Sequence, residues 1–157
     1  MKKALIIFFS IFALDRITKY LVLSLVPYGK EVKVVGEVLK ITHVHNPNSL
    51  WSLSLGQRFP YVAIGIGAII FLVILVVDAL RHGQRRYAYL YSLLMAGVAG
   101  NITDRIKFKE VIDFIDIGIS PTLRWPVFNI ADSAISIGLV IYFIMLIREK
   151  IAKRSNQ

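Results

Sequence analysis

Nineteen Lys and Arg residues outnumber ten Asp and Glu, and five of the acids stand where a carboxylate is poorly tolerated. Asp15 interrupts the first apolar run, Asp104 closes the third, and Asp132 opens the fourth. Asp113 and Asp116 lie three apart between the last two. A lone carboxylate at the edge of a hydrocarbon layer costs a few kcal/mol. Two of them facing one another have a chemical use. Like charges a few ångströms apart cannot both ionise, so the pair holds a single proton. The ionised member takes a proton from water, the neutral member hydrogen-bonds a peptide carbonyl, and a proton returns to the leaving amine. This is aspartic hydrolysis of a peptide bond, which needs neither metal nor nucleophilic side chain. Cysteine is absent, which removes thiolate nucleophiles, disulfides and Cys-ligated metals.

Counting along the chain selects Asp104 and Asp132 as the pair. Asp104 lies 18 residues after Arg86, and Asp132 lies 16 before Arg148. At about 1.5 Å per residue these are about 27 and 24 Å from one face of a membrane, so both acids reach the same depth near the opposite face. Asn101 precedes Asp104 by three and Asn129 precedes Asp132 by three, each on the same helical face as its acid. Such amides can hold a carboxyl in place or meet a substrate backbone. The plainer alternative is that each Asp caps a helix or pairs with Arg105 or another cation. Asn129, after Pro126, also reads as a helix cap.

The elements that would position these groups follow from hydropathy. The 157 residues are 56% hydrophobic and 18% charged, with mean hydropathy +0.64. Charge-free runs reach the roughly 17–25 residues needed to cross a bilayer. These features exclude a soluble enzyme, a disordered chain and a disulfide scaffold. The expected fold is a membrane all-α bundle of four transmembrane helices, at about 4–26, 59–80, 87–104 and 127–147, with a small extracytoplasmic β-rich cradle. One domain, 1–157, accounts for the whole length.

Lys2 and Lys3 ahead of an apolar run resemble a signal peptide, but Leu14, Asp15 and Arg16 stand where a cleavage site would be, so an uncleaved first span is expected. Nine basic residues crowd the termini and the short loop between the second and third spans. Eight others are spread over two longer segments. This bias places both termini in the cytoplasm and explains the net charge of +9 without nucleic acid. The outer segments are then about 27–58 and 105–126. Alternation over Glu31–Val44 with a break at Gly36 predicts a hairpin, and Glu110–Ile117 a further strand. Leu50–Leu55 reads as an interfacial turn or short helix.

At the acidic residues the chain resembles the lipoprotein signal peptidases (signal peptidase II). Asp15-Arg16-Ile17-Thr18-Lys19 resembles that family's Asp-x-x-Thr-Lys box. Gly100-Asn101-Ile102-Thr103-Asp104-Arg105 matches Gly-Asn-x-x-Asp-Arg. Val111-Ile112-Asp113-Phe114 resembles Val-x-Asp-Phe, and Phe128-Asn129-Ile130-Ala131-Asp132-Ser133 matches Phe-Asn-x-Ala-Asp-Ser. One box departs: in Asn46-Pro47-Asn48-Ser49-Leu50-Trp51, Asn48 replaces a Gly and Leu50 an Ala. The left-handed tolerance of Asn suits the first exchange.

The resemblance implies an integral membrane aspartic endopeptidase of the bacterial cytoplasmic (inner) membrane. It would cleave prolipoproteins N-terminal to a diacylglyceryl-modified lipobox Cys, near the outer leaflet. It implies Asp104 and Asp132 as the catalytic pair. Asn46, Asn101, Arg105, Asn129, Asp15, Lys19, Asp113 and Trp51 would support them or contact substrate. It further implies membrane lipid around the site, globomycin-type cyclic peptide inhibitors, a monomer, and no cofactor or metal. The contrasting expectation is an inactive or non-enzymatic small membrane protein that binds lipoprotein precursors or conducts protons.

Other residues have plainer readings. His43 and His45 share a strand face and read as polar surface, and Arg16 and Lys19 as ion partners. Asp113 is expected to order the region around Arg105 rather than do chemistry. Trp51, Trp125, Tyr28 and Tyr61 read as interfacial anchors, and Gly65, Gly67, Gly97 and Gly100 as helix-packing positions.

Overall fold

Helix α1 (Lys2–Leu25) stops where Pro27 forces the preceding residue out of the helical region; Val26 is extended, with φ −114° and ψ 114°. The structure, a computed structural model, describes residues 1–47 and 60–155. After α1 come strands β1 (Glu31–Val35) and β2 (Leu39–Asn46). Helices α2 (Tyr61–Arg81) and α3 (Arg85–Phe108), strand β3 (Val111–Ile117) and helix α4 (Ile130–Ser155) complete the order.

The expected hairpin and outer strand are present. β1 and β2 pair antiparallel through a turn at Gly36, whose φ of 49° suits a residue without Cβ. β3 pairs antiparallel with β2, giving a three-stranded sheet in the order β1-β2-β3. A register shift between Ile41 and Val44 sets Val44 opposite Asp113 and Asn46 opposite Val111. β1 is wholly exposed, whereas β3 is buried over most of its length. The turn or helix expected at Leu50–Leu55 lies outside the described residues, as do Asn48 and Trp51.

α3 is the hub, packed against α1, α2, α4 and β3. Two glycines let its neighbours close in. A Cβ on Gly97 would lie 2.5 Å from the Ala131 carbonyl oxygen, and one on Gly100 would lie 2.7 Å from the Asp15 carboxylate. Two helices run past their predicted apolar limits, α3 to Phe108 and α4 to Ser155. Hydropathy marks the edge of an apolar layer, whereas a helix continues through charged residues of good propensity until something stops it. For α3 the stop is Lys109, left-handed at φ 66°, whose N–H donates to the Arg105 carbonyl.

Burial is inverted relative to a protein dissolved in water. Among the largest wholly buried side chains are Lys19, Asn129, Asp15, Asp104 and Asp113, while Phe9, Ile70, Phe71, Ile74, Phe143 and Ile147 are exposed. Such an exterior is stable only against an apolar medium or partner. α2 and α4 are long and apolar enough to cross a membrane; α1 and α3 fall short of that criterion. The shortfall has a local cause, because Asp15, Lys19, Asn101 and Asp104 lie on those two helices and point inward.

Candidate active site

Two groups of carboxylates meet at one end of α3, and their surroundings differ. The first is built on α1. Asp15 and Lys19 are one turn apart and share a face, with Lys19 Nζ 3.1 Å from Asp15 Oδ2. Across the helix interface the same Nζ lies 2.6 Å from Asp104 Oδ2. Arg16 bends round to complete the set, with Nη2 2.5 Å from Asp15 Oδ2 and Nη1 2.6 Å from Asp104 Oδ1. Asp104 Oδ2 also accepts the Ile112 N–H at 3.3 Å. Asp15 Oδ1 accepts the Ala131 N–H at 3.0 Å, satisfying a donor that the start of α4 leaves open. Two anions face two cations, so the group is neutral as a whole. Arg16 is the ion partner the sequence suggests, although residue 16 starts about 100° round the helix from residue 15. Its length is what returns it to the site.

The second group is held by amides. Asn129 caps α4: its Oδ1 accepts the Asp132 N–H at 2.9 Å, and its own N–H donates to Asp132 Oδ2 at 3.3 Å. Asn129 Nδ2 donates to Asp113 Oδ1 at 2.6 Å and to Asn101 Oδ1 at 3.1 Å. Asn101 Nδ2 in turn donates to Asp132 Oδ1 at 2.7 Å. Asn46, the last residue of β2, donates to Asp113 Oδ2 at 2.8 Å. Asp113 and Asp132 are thus joined through Asn129 and Asn101. Among the described residues neither has a cation within ion-pair distance. Burial first, then the nearby Asp132 charge, push the Asp113 carboxyl up to about 7, while the Asn46 and Asn129 amides draw it back.

The two groups touch at one atom. Asn101 Oδ1 accepts from Lys19 Nζ at 3.1 Å as well as from Asn129. The cation of the first group therefore orients the amide that serves Asp132.

Eight of the ten residues singled out from the sequence lie in this network. Arg105 stands beside it, its guanidinium 5.2 Å from the centre of the Tyr61 ring. The plainer alternative, that an Asp pairs with Arg105 or another cation, holds for Asp104, with Arg16 and Lys19 as the cations. Trp51 lies outside the described residues. Asp116 is elsewhere, 2.6 Å from Arg124 Nε. His43 is buried rather than a surface residue. Its Nδ1 is 2.7 Å from the Val26 carbonyl oxygen, its Nε2 faces His45 Nε2 at 3.1 Å, and His45 Nδ1 meets Glu110 at 3.1 Å. Among the described residues no three acidic or His side chains converge as a metal ligand set.

Two clefts reach this end of the molecule. The larger, about 850 Å³, runs between α2 and α3 and is lined by Tyr61, Ile66, Arg105, Phe108 and Glu110. A smaller one of about 310 Å³ has Asp132 in its wall beside Trp125, Phe128, Ser133 and Ile137. The smaller cleft is the one that reaches a carboxyl of the buried network.

The family described as signal peptidase (SPase) II matches residues 7–148 of the chain. A lipoprotein signal peptidase of Bacillus velezensis is 34% identical over 152 residues, covering 97% of both chains. One from Janthinobacterium sp. is 38% identical over 133 residues, covering 82% of this chain and 78% of its own. A bacterial membrane enzyme solved by the in meso method at 2.3 Å superposes with a TM-score of 0.83 at 31% identity, covering 96% of this chain and 90% of its own. A second, solved at 1.9 Å, gives 0.75 at 29% identity, with 93% of each chain covered.

Proposed function

The chain belongs to the signal peptidase II family, and on that premise we propose that it is a membrane aspartic endopeptidase whose working pair is Asp113 and Asp132. Its substrate is a prolipoprotein carrying diacylglycerol on the lipobox Cys, cut on the N-terminal side of that Cys. All four helices cross the bacterial cytoplasmic membrane, with both termini inside and the carboxylates near the outer leaflet. α1 and α3 tolerate this because their charges pair inward. Leu5, Phe9, Leu14 and Ile17 are left for the lipid.

The observation that carries the reading is the difference in neutralisation. Asp104, expected as one of the pair, gives one oxygen to Arg16 and the other to Lys19 and the Ile112 N–H. A carboxylate so occupied has both oxygens engaged by other donors. Asp113 is buried with Asp132 near it, it accepts from the Asn46 and Asn129 amides, and among the described residues no cation lies within ion-pair distance, which suits a pair that shares one proton.

In the reaction the ionised carboxyl removes a proton from water. The water oxygen attacks the scissile carbonyl, whose oxygen accepts a hydrogen bond from the protonated carboxyl. The tetrahedral intermediate then collapses as a proton passes to the amine of the lipidated Cys, and the pair returns to one proton. Asn129 and Asn101 fix the two carboxyls, and Asp104, Asp15, Arg16 and Lys19 position Asn101. The acyl chains hold the substrate at a distance from the reacting bond, so binding there orients the peptide. Arg105 and the cleft beside Tyr61 meet the substrate backbone, as does the segment with Trp51. Globomycin-type cyclic peptides compete for the same space, and the enzyme acts as a monomer.

The test is purified protein in detergent with a diacylated lipobox peptide, read by mass spectrometry. Cleavage immediately before the lipidated Cys, with an unlipidated peptide cut far more slowly, supports the reading. An intact diacylated peptide overturns it.

A further inference from the structure

We propose that the end of the bundle remote from the carboxylates holds one anionic glycerophospholipid. Its phosphate sits among Arg85, Arg86 and Arg148, and an acyl chain lies along the groove between α1, α3 and α4. The inference rests on the reading that these helices cross a membrane, and it concerns surface that the peptidase reading leaves unused.

The turn joining α2 to α3 and the last turns of α4 enclose a cleft of about 460 Å³ with those three arginines in its wall. None of the three forms an ion pair among the described residues. The carboxylate in the same wall, Glu149, accepts the Tyr87 hydroxyl at 2.7 Å and stays with it. Arg86 and Met145 also border a second cleft of about 360 Å³, whose other walls are Ile7, Tyr89, Leu90, Leu93 and Ile141. A basic chamber therefore opens into an apolar groove through two shared residues.

That succession matches a phospholipid from headgroup to tail. Guanidinium groups bind phosphate oxygens through parallel N–H donors. Basic pockets between membrane helices on the cytoplasmic side suit anionic headgroups. A zwitterionic lipid would bring its own cation among three arginines. A free anion would leave the groove unfilled.

Native mass spectrometry of the full chain in detergent, titrated with phosphatidylglycerol or phosphatidylcholine of the same acyl chains, tests the site. Phosphatidylglycerol is expected to bind at about tenfold lower concentration. The variant R85Q/R86Q/R148Q should lose that preference. The variant K150Q/K153Q/R154Q removes as much charge further along α4, outside the cleft, and should keep it. Leu93→Trp should weaken lipid binding with the arginines intact, and inorganic phosphate should not displace the lipid. Equal loss in both triple variants, equal binding of the two lipids, or displacement by phosphate overturns the proposal. Cleavage of the diacylated peptide is measured on the same preparations. Wild-type protein that cleaves but shows no lipid preference refutes the lipid site and leaves the peptidase reading standing.

Discussion

Within one end of this bundle two pairs of buried acids have met opposite fates. Asp15 and Asp104 each face cations at 3.1 Å or less. Asp113 and Asp132 face amides and a backbone N–H. The first arrangement matches each anion with a cation inside the network. The second holds its acids by hydrogen bonds, with no cation at ion-pair distance among the described residues, and on the proposed reading it is the half that exchanges protons. A buried acid is therefore a poor marker of chemistry by itself, and what neutralises it decides.

The comparison breaks most directly at its reactive half. Asp113→Asn and Asp132→Asn should each reduce cleavage of the diacylated peptide by about 10³-fold or more while the protein still purifies folded. If either variant retains a tenth of wild-type turnover, the pair is misassigned. Asp104→Asn tests the inert half. It takes the 2.6 Å partner from Lys19 and leaves Asp15 as the one anion between Lys19 and Arg16 among the described residues, and breaking a buried pair in this way costs about 3–5 kcal/mol. The expected signature is a fall in thermal stability, with activity lost in proportion to folded protein. A well-folded, fully inactive Asp104→Asn would return that residue to the reacting pair.

A subtler change sharpens the reactive half. The Asn46 amide helps hold the Asp113 carboxyl down to about 7 against burial and the Asp132 charge, so Asn46→Ala should move the alkaline limb of the pH–activity profile upward. An unmoved or lowered limb would separate that limb from Asp113. The same carboxyl has a sign for stability. Its ordinary value of 3.8 is raised in the fold, so the native state binds the extra proton, and stability should decline as pH rises from about 4 to about 7. The smallest effect belongs to the exposed ion pairs of the hairpin. Lys33 and Lys40 hold Glu37 at about 2, yet Glu37→Gln should alter cleavage by no more than about twofold, because exposed pairs contribute little.

Helices and strands were legible because each leaves a period or a run in the sequence, and so did most of the site's membership. Asn101, Asn129 and Asp132 were found by helical spacing, and the structure joins them directly. The geometry behind the proposed exchange of Asp104 for Asp113 was not legible. Counting residues along a helix measures depth, and it ranks Asp104 level with Asp132. It cannot register that β3 folds back along β2 with a register shift and delivers Asp113 to Asn129 from outside the helices. Nor does a helical wheel reveal that Arg16 reaches round to an acid 88 positions away.

Asp15 receives its hydrogen bond from Ala131, 116 positions further on. The first helix therefore completes the partners of its own acid only when the last is in place, and Asp132 follows one residue after that contact. On the proposed peptidase reading, a chain still leaving the ribosome holds no assembled pocket and cannot attack the precursors inserting beside it. Competence to cut then comes with the final act of insertion, and on that reading a truncation before α4 yields a silent protein.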